Sequence, residues 1–488
     1  MELEKLVCEL TKTIEQLETE FSEQARKYEE NIALQQATIE EQAKVIKDLM
    51  SRIDMNSSNS SKPPSSDPYK KPKPKSMRIT TGRKPGGQKG HKGHGLRLPE
   101  SIDEVAEAAP AECKECGADL QGVDGNVVSS RYEIDIPEIV MRTIRHDQIQ
   151  KDCPCCGEQN LGEYPEGVNG IKQYGPNLKA LVVTFVNYGM VSIERTQEIL
   201  GGAFGAFISQ GTIQNIIYEC ANKVSATVDE IRQEVIRSPV ANFDETGFRV
   251  EGKLAWLHNA STDKLTHITV HKKRGKEGMD AGGVLPDYKG VALHDCLQVY
   301  FKYDCLHALC NAHLLRELIG IFENTNQQWA ESIIKLLLLM KDQVEKHKEE
   351  GEASLPSDLF VKHSNEWDRF VAEGFSLNPY PVRKEGQKGR LAKGKALCLL
   401  ERLATYKGYF MLFACDFRVP FDNNQAERDI RIAKLKSKVA GGARSVNGAI
   451  AFAKITSLIQ TVRKQGLSIY KTLRSSFLGL SFGIVFDI

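Results

Sequence analysis

The residues after Pro239 constrain the fold most, because there the hydrophobic period changes from that of helices to that of strands. Val240 to Gly252 (VANFDETGFRVEG), Leu254 to Thr262 (LAWLHNAST) and Lys264 to Gly275 (KLTHITVHKKRG) read as three strands broken by Gly and Ser/Thr/Asp turns. They are close enough in sequence to pair as an antiparallel meander. A helical stretch, Lys276 to Tyr288, and a short apolar strand, Gly290 to Asp295 (GVALHD), follow. In the ribonuclease H-like order of such elements the fourth strand is the parallel neighbour of the first. The result is a mixed sheet with Asp244 mid-way along the first strand and Asp295 at the end of its parallel neighbour.

Meander, helix, fourth strand is the opening order of a ribonuclease H-like fold. Two carboxylates on adjacent strands can share divalent cations about 4 Å apart. A third is needed, and the chain from Ala312 to Leu412 is mostly helical, with breaks at Gly351 to Pro356 and Pro379 to Gly389, as an insertion within the fold. The insertion ends at VPFDNNQAERDIRIAKLKSK, where Asp422 or Asn423 can cap a helix carrying Glu427 in its first turn. Arg428, Arg431, Lys434 and Lys438 follow on that helix and suit a phosphodiester backbone. With 64 acidic residues in the chain, a dispersed triad is a poor signal taken alone. Asp304 and Asp422 compete for the second and third positions, and Glu245 is set aside because strand alternation turns it to the opposite face.

Upstream, residues 1–55 hold Leu3, Val7, Leu10, Ile14, Leu17, Phe21 and Tyr28 at alternating spacings of three and four. Ile32, Ile39, Ile46 and Ile53 continue the seam after a one-residue slip, and no Gly or Pro interrupts it. This narrow stripe, with polar Gln24, Gln35 and Gln42, reads as a coiled coil that joins copies of the chain. Net charge is only +1, from 65 basic and 64 acidic residues, but the balance hides a strong asymmetry. The first 55 residues carry thirteen acids and seven bases, whereas Lys62 to Arg97 carries eleven bases and one acid. After the linker NSSNSSKPPSSDP, this arm, with Arg83, Lys84, Lys89 and Lys92 among Gly and Pro, is suited to tracking DNA phosphates. The polar start, MELEKLVCEL, carries no secretory signal. The most apolar runs, Ile333 to Met340 and Phe477 to Phe486, fall short of the roughly 20 residues that cross a bilayer.

Twelve cysteines without a secretory signal point to thiol ligands rather than disulfides. Cys113-x-x-Cys116 and Cys153-x-x-Cys156 can place four thiolates around one structural Zn²⁺, with Val127 to His146 alternating like strands between them. Four sulfur ligands leave no open position for catalysis. Cys305, His307, Cys310 and His313 can be read as a second metal site, but apolar neighbours on a helical rise favour packing and hydrogen bonding. Three helices are expected between residues 170 and 237: Gly175 to Met190, Ser192 to Leu200, and Thr212 to Arg237, in a helix-turn-helix-like pattern.

Several strings together resemble the transposases of the insertion sequence 66 family. They are Asp244-Glu245-Thr246-Gly247-Phe248, Trp256-Leu257-His258, His294-Asp295, Cys310-Asn311-Ala312-His313-Leu314-Leu315-Arg316-Glu317-Leu318 and Pro420-Phe421-Asp422-Asn423-Asn424-Gln425-Ala426-Glu427-Arg428. The coiled coil, linker, basic arm and CxxC pairs share the likeness, so it runs through nearly the whole chain. The resemblance implies a DDE transposase with Asp244, Asp295 and Glu427 holding Mg²⁺ or Mn²⁺. It further implies 3′-end nicking and strand transfer, binding to element ends and target DNA, accessory proteins of the same element, and a bacterial, nucleoid-associated cytoplasmic location. The expected architecture is multi-domain α+β/α/β. It comprises a coiled coil (1–55), a basic arm (56–100), a zinc module (101–165) and a helical DNA-binding segment (170–237). A ribonuclease H-like domain (238–455, insertion about 320–412) and a helical tail (456–488) complete it. The apolar end, SSFLGLSFGIVFDI, departs from a usual polar terminus and reads as frameshifted or truncated. The rival reading is a catalytically inert, zinc-containing DNA-binding protein.

Overall fold

The computed structural model describes residues 2–53, 56, 59–60, 96, 98, 100–136, 139–383, 388–389 and 391–486. Arg83, Lys84, Lys89 and Lys92 of the basic arm lie outside the described residues. The chain divides into two compact units. One comprises Pro74–Asn169 and Glu194–Gln210, and the other Met1–Lys73, Gly170–Ile193 and Gly211–Ile488.

In the smaller unit, β1 (Gln150–Asp152) and β2 (Gln159–Leu161) form an antiparallel ribbon, with Gln150 opposite Leu161. The expected strands between Val127 and His146 are absent among the described residues, where Val127, Val128 and Ile144 are exposed. Alternation there meets no second layer to bury it.

In the larger unit, Glu2–Ile53 is one helix of 52 residues whose apolar seam is exposed from Leu3 to Ile53. The segment before the sheet is helical, but in more pieces than its periodicity suggests. Pro176–Val183 passes into a π-helical turn, Thr184–Tyr188, and the expected Thr212–Arg237 helix is split at Val224 into Gln210–Lys223 and Ser225–Arg237. Hydrophobic period cannot register such a break, because Val224 is itself fully buried.

The sheet has five strands: β3 (Val240–Val250), β4 (Lys253–Ser261), β5 (Thr266–His271), β6 (Val291–His294) and β7 (Leu306–Leu309), in the order β5-β4-β3-β6-β7. β3, β4 and β5 are the antiparallel meander, while β6 lies parallel to β3 and β7 parallel to β6. The crossover helix is shorter than expected, Lys276–Ala281. Gly282 turns its N–H back onto the Gly278 and Met279 carbonyls, and Gly283 takes a positive φ.

Five helices, Asn311–Thr325, Gln328–Glu349, Ser357–Leu377, Lys395–Thr405 and Lys407–Cys415, cover the parallel side. Their core, with Trp329 and Trp367 fully buried, is continuous with Leu293, Ala308 and Leu309 of the strands. The insertion therefore shares a core with the sheet. Beside β3 and β4, Asn424–Ala440 and Val446–Lys464 bury Ile430, Ala433 and Phe452 against Phe248, Leu257 and Ile268. Ser457 and Thr461, one helical turn apart, accept the backbone N–H groups of Ile268 and Thr266, so the β5 edge is covered. The Asn424–Ala440 helix ends at Gly441 and Gly442. A Cβ on Gly442 would fall 2.2 Å from the Arg249 carbonyl, so only glycine admits the pairing of Ala443 with the β3–β4 turn. The apolar tail packs: Ile484 and Phe486 join the core beneath Ile231 and Leu285, and the Val485 N–H donates to Gln465.

Candidate active site

Parallel register brings the first two carboxylates together. Asn242 pairs with Leu293, the last pair of the β3–β6 ladder; Asp244 continues β3 and Asp295 follows the end of β6, so both lie at the same end of the sheet and line one cavity. Asp244 accepts the Glu245 N–H at 2.8 Å. Burial, followed by the charges of Asp295 and Glu245, pushes its pKa well above the usual carboxylate range, with Glu427 adding to the effect.

Glu427 arrives from the first turn of Asn424–Ala440, and Asn423 determines where that turn sits. Fully buried, Asn423 donates through Nδ2 to the Phe243 carbonyl at 2.8 Å and accepts Asn242 Nδ2 at 3.0 Å. Its N–H points at Cys310 Sγ, 3.1 Å away. On the far side of the helix Asp429 is buried against Lys464 at 2.7 Å, so both flanks are tied. Asp422 caps the helix through the Asn424 N–H, and Asp304 is an exposed acid paired with Lys289. Neither competitor sits with Asp244 and Asp295.

His313 bridges the group. Its Nδ1 lies 3.1 Å from Asp295 Oδ1, and its Nε2 3.8 Å from Glu427 Oε1. Arg316 and Arg431 approach Glu427 at 3.9 and 3.6 Å. Burial opposes a charge on His313, but Asp295 and Cys310 outweigh it and push the pKa up to about 11. His313 thus stands between the side chains of Asp295 and Glu427. Yet Asp295 Oδ1, His313 Nδ1 and Glu427 Oε1 are buried without an aligned hydrogen-bond partner; the 3.1 Å approach is close but poorly directed. Two buried carboxylate oxygens left over in this way, from the end of β6 and the start of a helix, are hard donors of the kind a divalent cation takes. The residues fit such an ion.

A cavity of about 270 Å³ opens onto Asp244, Asp295 and His313. Glu245, set aside on strand alternation, lines this cavity beside Asp244, held by Tyr300 Oη at 2.6 Å and Arg274 at 2.8 Å. Arg274 stacks on Trp256, 4.9 Å from the ring centre, and is half exposed.

A family model described as Transposase IS66 family matches residues 172–451, more than half of the chain. The chain belongs to this transposase family. A family of unknown function matches residues 2–97, and no curated protein matches the chain. Membership implies a nucleotidyl-transferase kind of enzyme that binds DNA and uses divalent metal. Among the described residues no helix is long and apolar enough to cross a membrane.

Beyond the carboxylates, Arg431, Lys434 and Lys438 follow Glu427 by four, seven and eleven residues, so they run as one exposed stripe along the transposase's Asn424–Ala440 helix. Arg428 is exposed beside the stripe, bonded to Gln425. The two cysteine pairs form matching knuckles: the Gly117 N–H donates to the Cys113 carbonyl and the Gly157 N–H to the Cys153 carbonyl, with both glycines at positive φ. Neighbouring backbone N–H groups hold the Cys113 and Cys153 thiols below their ordinary pKa. Cys116 and Cys156 stay within their own knuckles, and no three of the four sulfurs lie within common reach of one ion. The packing role expected for Cys305, His307, Cys310 and His313 divides. His307 meets His294 at 3.2 Å among Phe301 and Tyr409, whereas His313 stands in the site. The signal for His313 was its spacing from Cys310 in a helix's first turn. Asn423 gave none beyond its capping position.

Proposed function

We propose that the protein binds the ends of its insertion sequence and catalyses metal-dependent 3′-end nicking and strand transfer into target DNA. The placing of Asp244 and Asp295 on one cavity, with Glu427 reached through His313, carries this reading. The strand order, an antiparallel meander followed by two parallel strands, supports a ribonuclease H-like catalytic domain. Asp244, Asp295 and Glu427 would hold Mg²⁺ or Mn²⁺. When bound, such ions polarise the scissile phosphate and make a bound water or 3′-hydroxyl a better nucleophile.

The chain's own groups do the rest. His313 and Arg316 offset the repulsion among the carboxylates, which would otherwise spread the site in the metal-free protein. Arg431, Lys434, Lys438 and, alongside them, Arg428 present positive charge to the sugar-phosphate backbone leading into the cavity. The exposed guanidinium of Arg274, held by Glu245 and Trp256, is placed to meet a phosphate at the rim. In the first step a water oxygen attacks phosphorus, the bond to the 3′ oxygen breaks, and the strand leaves as a 3′-hydroxyl. In the second that hydroxyl attacks a target phosphodiester and displaces its 3′ oxygen.

The exposed seam of Glu2–Ile53 suits a coiled coil between copies, which would pair two element ends. The knuckles suit a structural Zn²⁺ once Cys113, Cys116, Cys153 and Cys156 close around it, and accessory proteins of the same element would complete the apparatus in a bacterial cytoplasm. Element mobility in cells tests the reading. Glu427→Gln should abolish movement while the protein still binds element ends. Equal movement in variant and wild type would contradict the carboxylate assignment, and end binding without movement in the wild type would favour the inert reading.

A further inference from the structure

A second set of donors meets at Asp295. β7 runs in register with β6, His294 opposite Leu309, so the next residues along, Asp295 and Cys310, are also neighbours. The Cys310 N–H donates to the His294 carbonyl at 3.1 Å, which holds that alignment one step beyond the strands. Cys310 is the residue before the Asn311–Thr325 helix, and three positions on, His313 returns over it in the first turn. Cys310 Sγ, a His313 ring nitrogen and an Asp295 oxygen all lie within 4.8 Å of one another. His313 Nδ1 faces Asp295 and, like Asp295 Oδ1, has no aligned hydrogen-bond partner. The backbone N–H of Asn423 points at Cys310 Sγ, where it would stabilise a bound thiolate.

This donor set differs in kind from the three carboxylates. Mg²⁺ takes oxygen and dehydrates reluctantly, whereas a thiolate and an imidazole beside one carboxylate select Zn²⁺ and its relatives. Asp295 and His313 face a cavity while Cys310 lies buried behind them, so three protein ligands leave a fourth position open on the cavity side. We propose that Asp295, Cys310 and His313 form a site for Zn²⁺ or a similar borderline cation, and that its occupation withdraws Asp295 from the hard-cation carboxylates. Binding forms a metal–sulfur bond and releases the Cys310 thiol proton to solvent; no group is oxidised or reduced. The competition rests on the assignment of Asp295 in the proposed function, whereas the binding does not.

Co²⁺ is the probe. Full-length protein, given one equivalent of Zn²⁺ for its CxxC cysteines and no excess, is titrated with Co²⁺ and read by thiolate-to-cobalt absorption. The wild type should take up one more cobalt than Cys310→Ser, with the band lost in the variant. His313→Gln, which removes the ring nitrogen ligand and leaves Cys310 in place, should lose it too, which guards against a folding defect in the Cys310 variant. Identical cobalt uptake and spectra in all three proteins would overturn the site. Mn²⁺ binding by electron paramagnetic resonance provides the second reading. One equivalent of Zn²⁺ should weaken Mn²⁺ binding by about ten-fold or more in the wild type and leave Cys310→Ser nearly unaffected. Cobalt uptake at Cys310 with Mn²⁺ fully retained would overturn the competition. A wild type that binds no Mn²⁺ at all would instead contradict the carboxylate reading and leave the cobalt result standing.

Discussion

The cysteine knuckles and the carboxylate site present opposite relations between sequence distance and spatial convergence. Cys113 and Cys116, or Cys153 and Cys156, announce a metal through a spacing of three residues, and each pair folds into the same glycine-ended turn. Yet the four sulfurs are not drawn around one point. Asp244, Asp295 and Glu427 carry no local signature, yet the fold sets Asp244 and Asp295 on one cavity and Asp295 and Glu427 on either side of His313. A knuckle sets two ligands by its own backbone and leaves the other two to the ion, so metal binding and folding of the module are one event. The carboxylates are set by a sheet with its own core, so their arrangement precedes any ion.

That contrast is sharpest when each half is damaged separately. Cys153→Ser should release one Zn²⁺ per chain and expose residues 100–169 to protease, with Mn²⁺ binding at the carboxylates unchanged. Coupled apparent energies on the order of 10 kcal/mol for structural zinc make this the largest expected effect. Zinc content unaffected by the substitution would break the comparison at its first term.

If the sheet preorganises the site, acid that weakens the sheet should weaken it predictably. Burial in β5 pushes His267 down to about 4, from an ordinary 6.5. The unfolded chain therefore gains this proton first, and stability is lost as pH falls from 6.5 towards 4. The shift corresponds to about 3 kcal/mol. Denaturant melts across that window should show the decline in wild type, and His267→Gln should lessen it, leaving the part due to His294, which burial also pushes down to about 3. A decline of the same size in the variant would remove His267 from the account.

Asn423→Ala is the smaller but more pointed test. Losing the links to Phe243 and Asn242 in a buried position should cost about 2 kcal/mol. Because those bonds seat the turn that carries Glu427, Mn²⁺ affinity should fall as well, while zinc content stays the same. Loss of stability with undiminished Mn²⁺ affinity would mean that Asn423 holds the fold without positioning the site.

Much of this was legible in the residues. The meander and the short fourth strand follow from period and turn chemistry after Pro239, and the ribonuclease H-like order of those elements placed the fourth strand parallel to the first, with Asp244 and Asp295 at one end of the sheet. The break at Val224 was not legible, because a buried valine fits an unbroken helix equally well. The Val127 to His146 stretch misled in the other direction, since alternation describes a strand only where another layer covers one face. His313 escaped because a histidine among apolar neighbours usually packs, and only the fold shows that its helix starts beside two strand ends. Asn423 escaped for a related reason: its partners lie 180 residues away in sequence.

The central claim is that carboxylates brought together by strand register and a helix start perform the strand cleavage. It is tested most directly by incubating purified full-length protein and Mg²⁺ with duplexes carrying an element end, and quantifying 3′-end nicking by wild type and Asp295→Asn. A loss of about 10³-fold or more, with end binding retained, is the predicted result. Nicking at the wild-type rate by Asp295→Asn would contradict it.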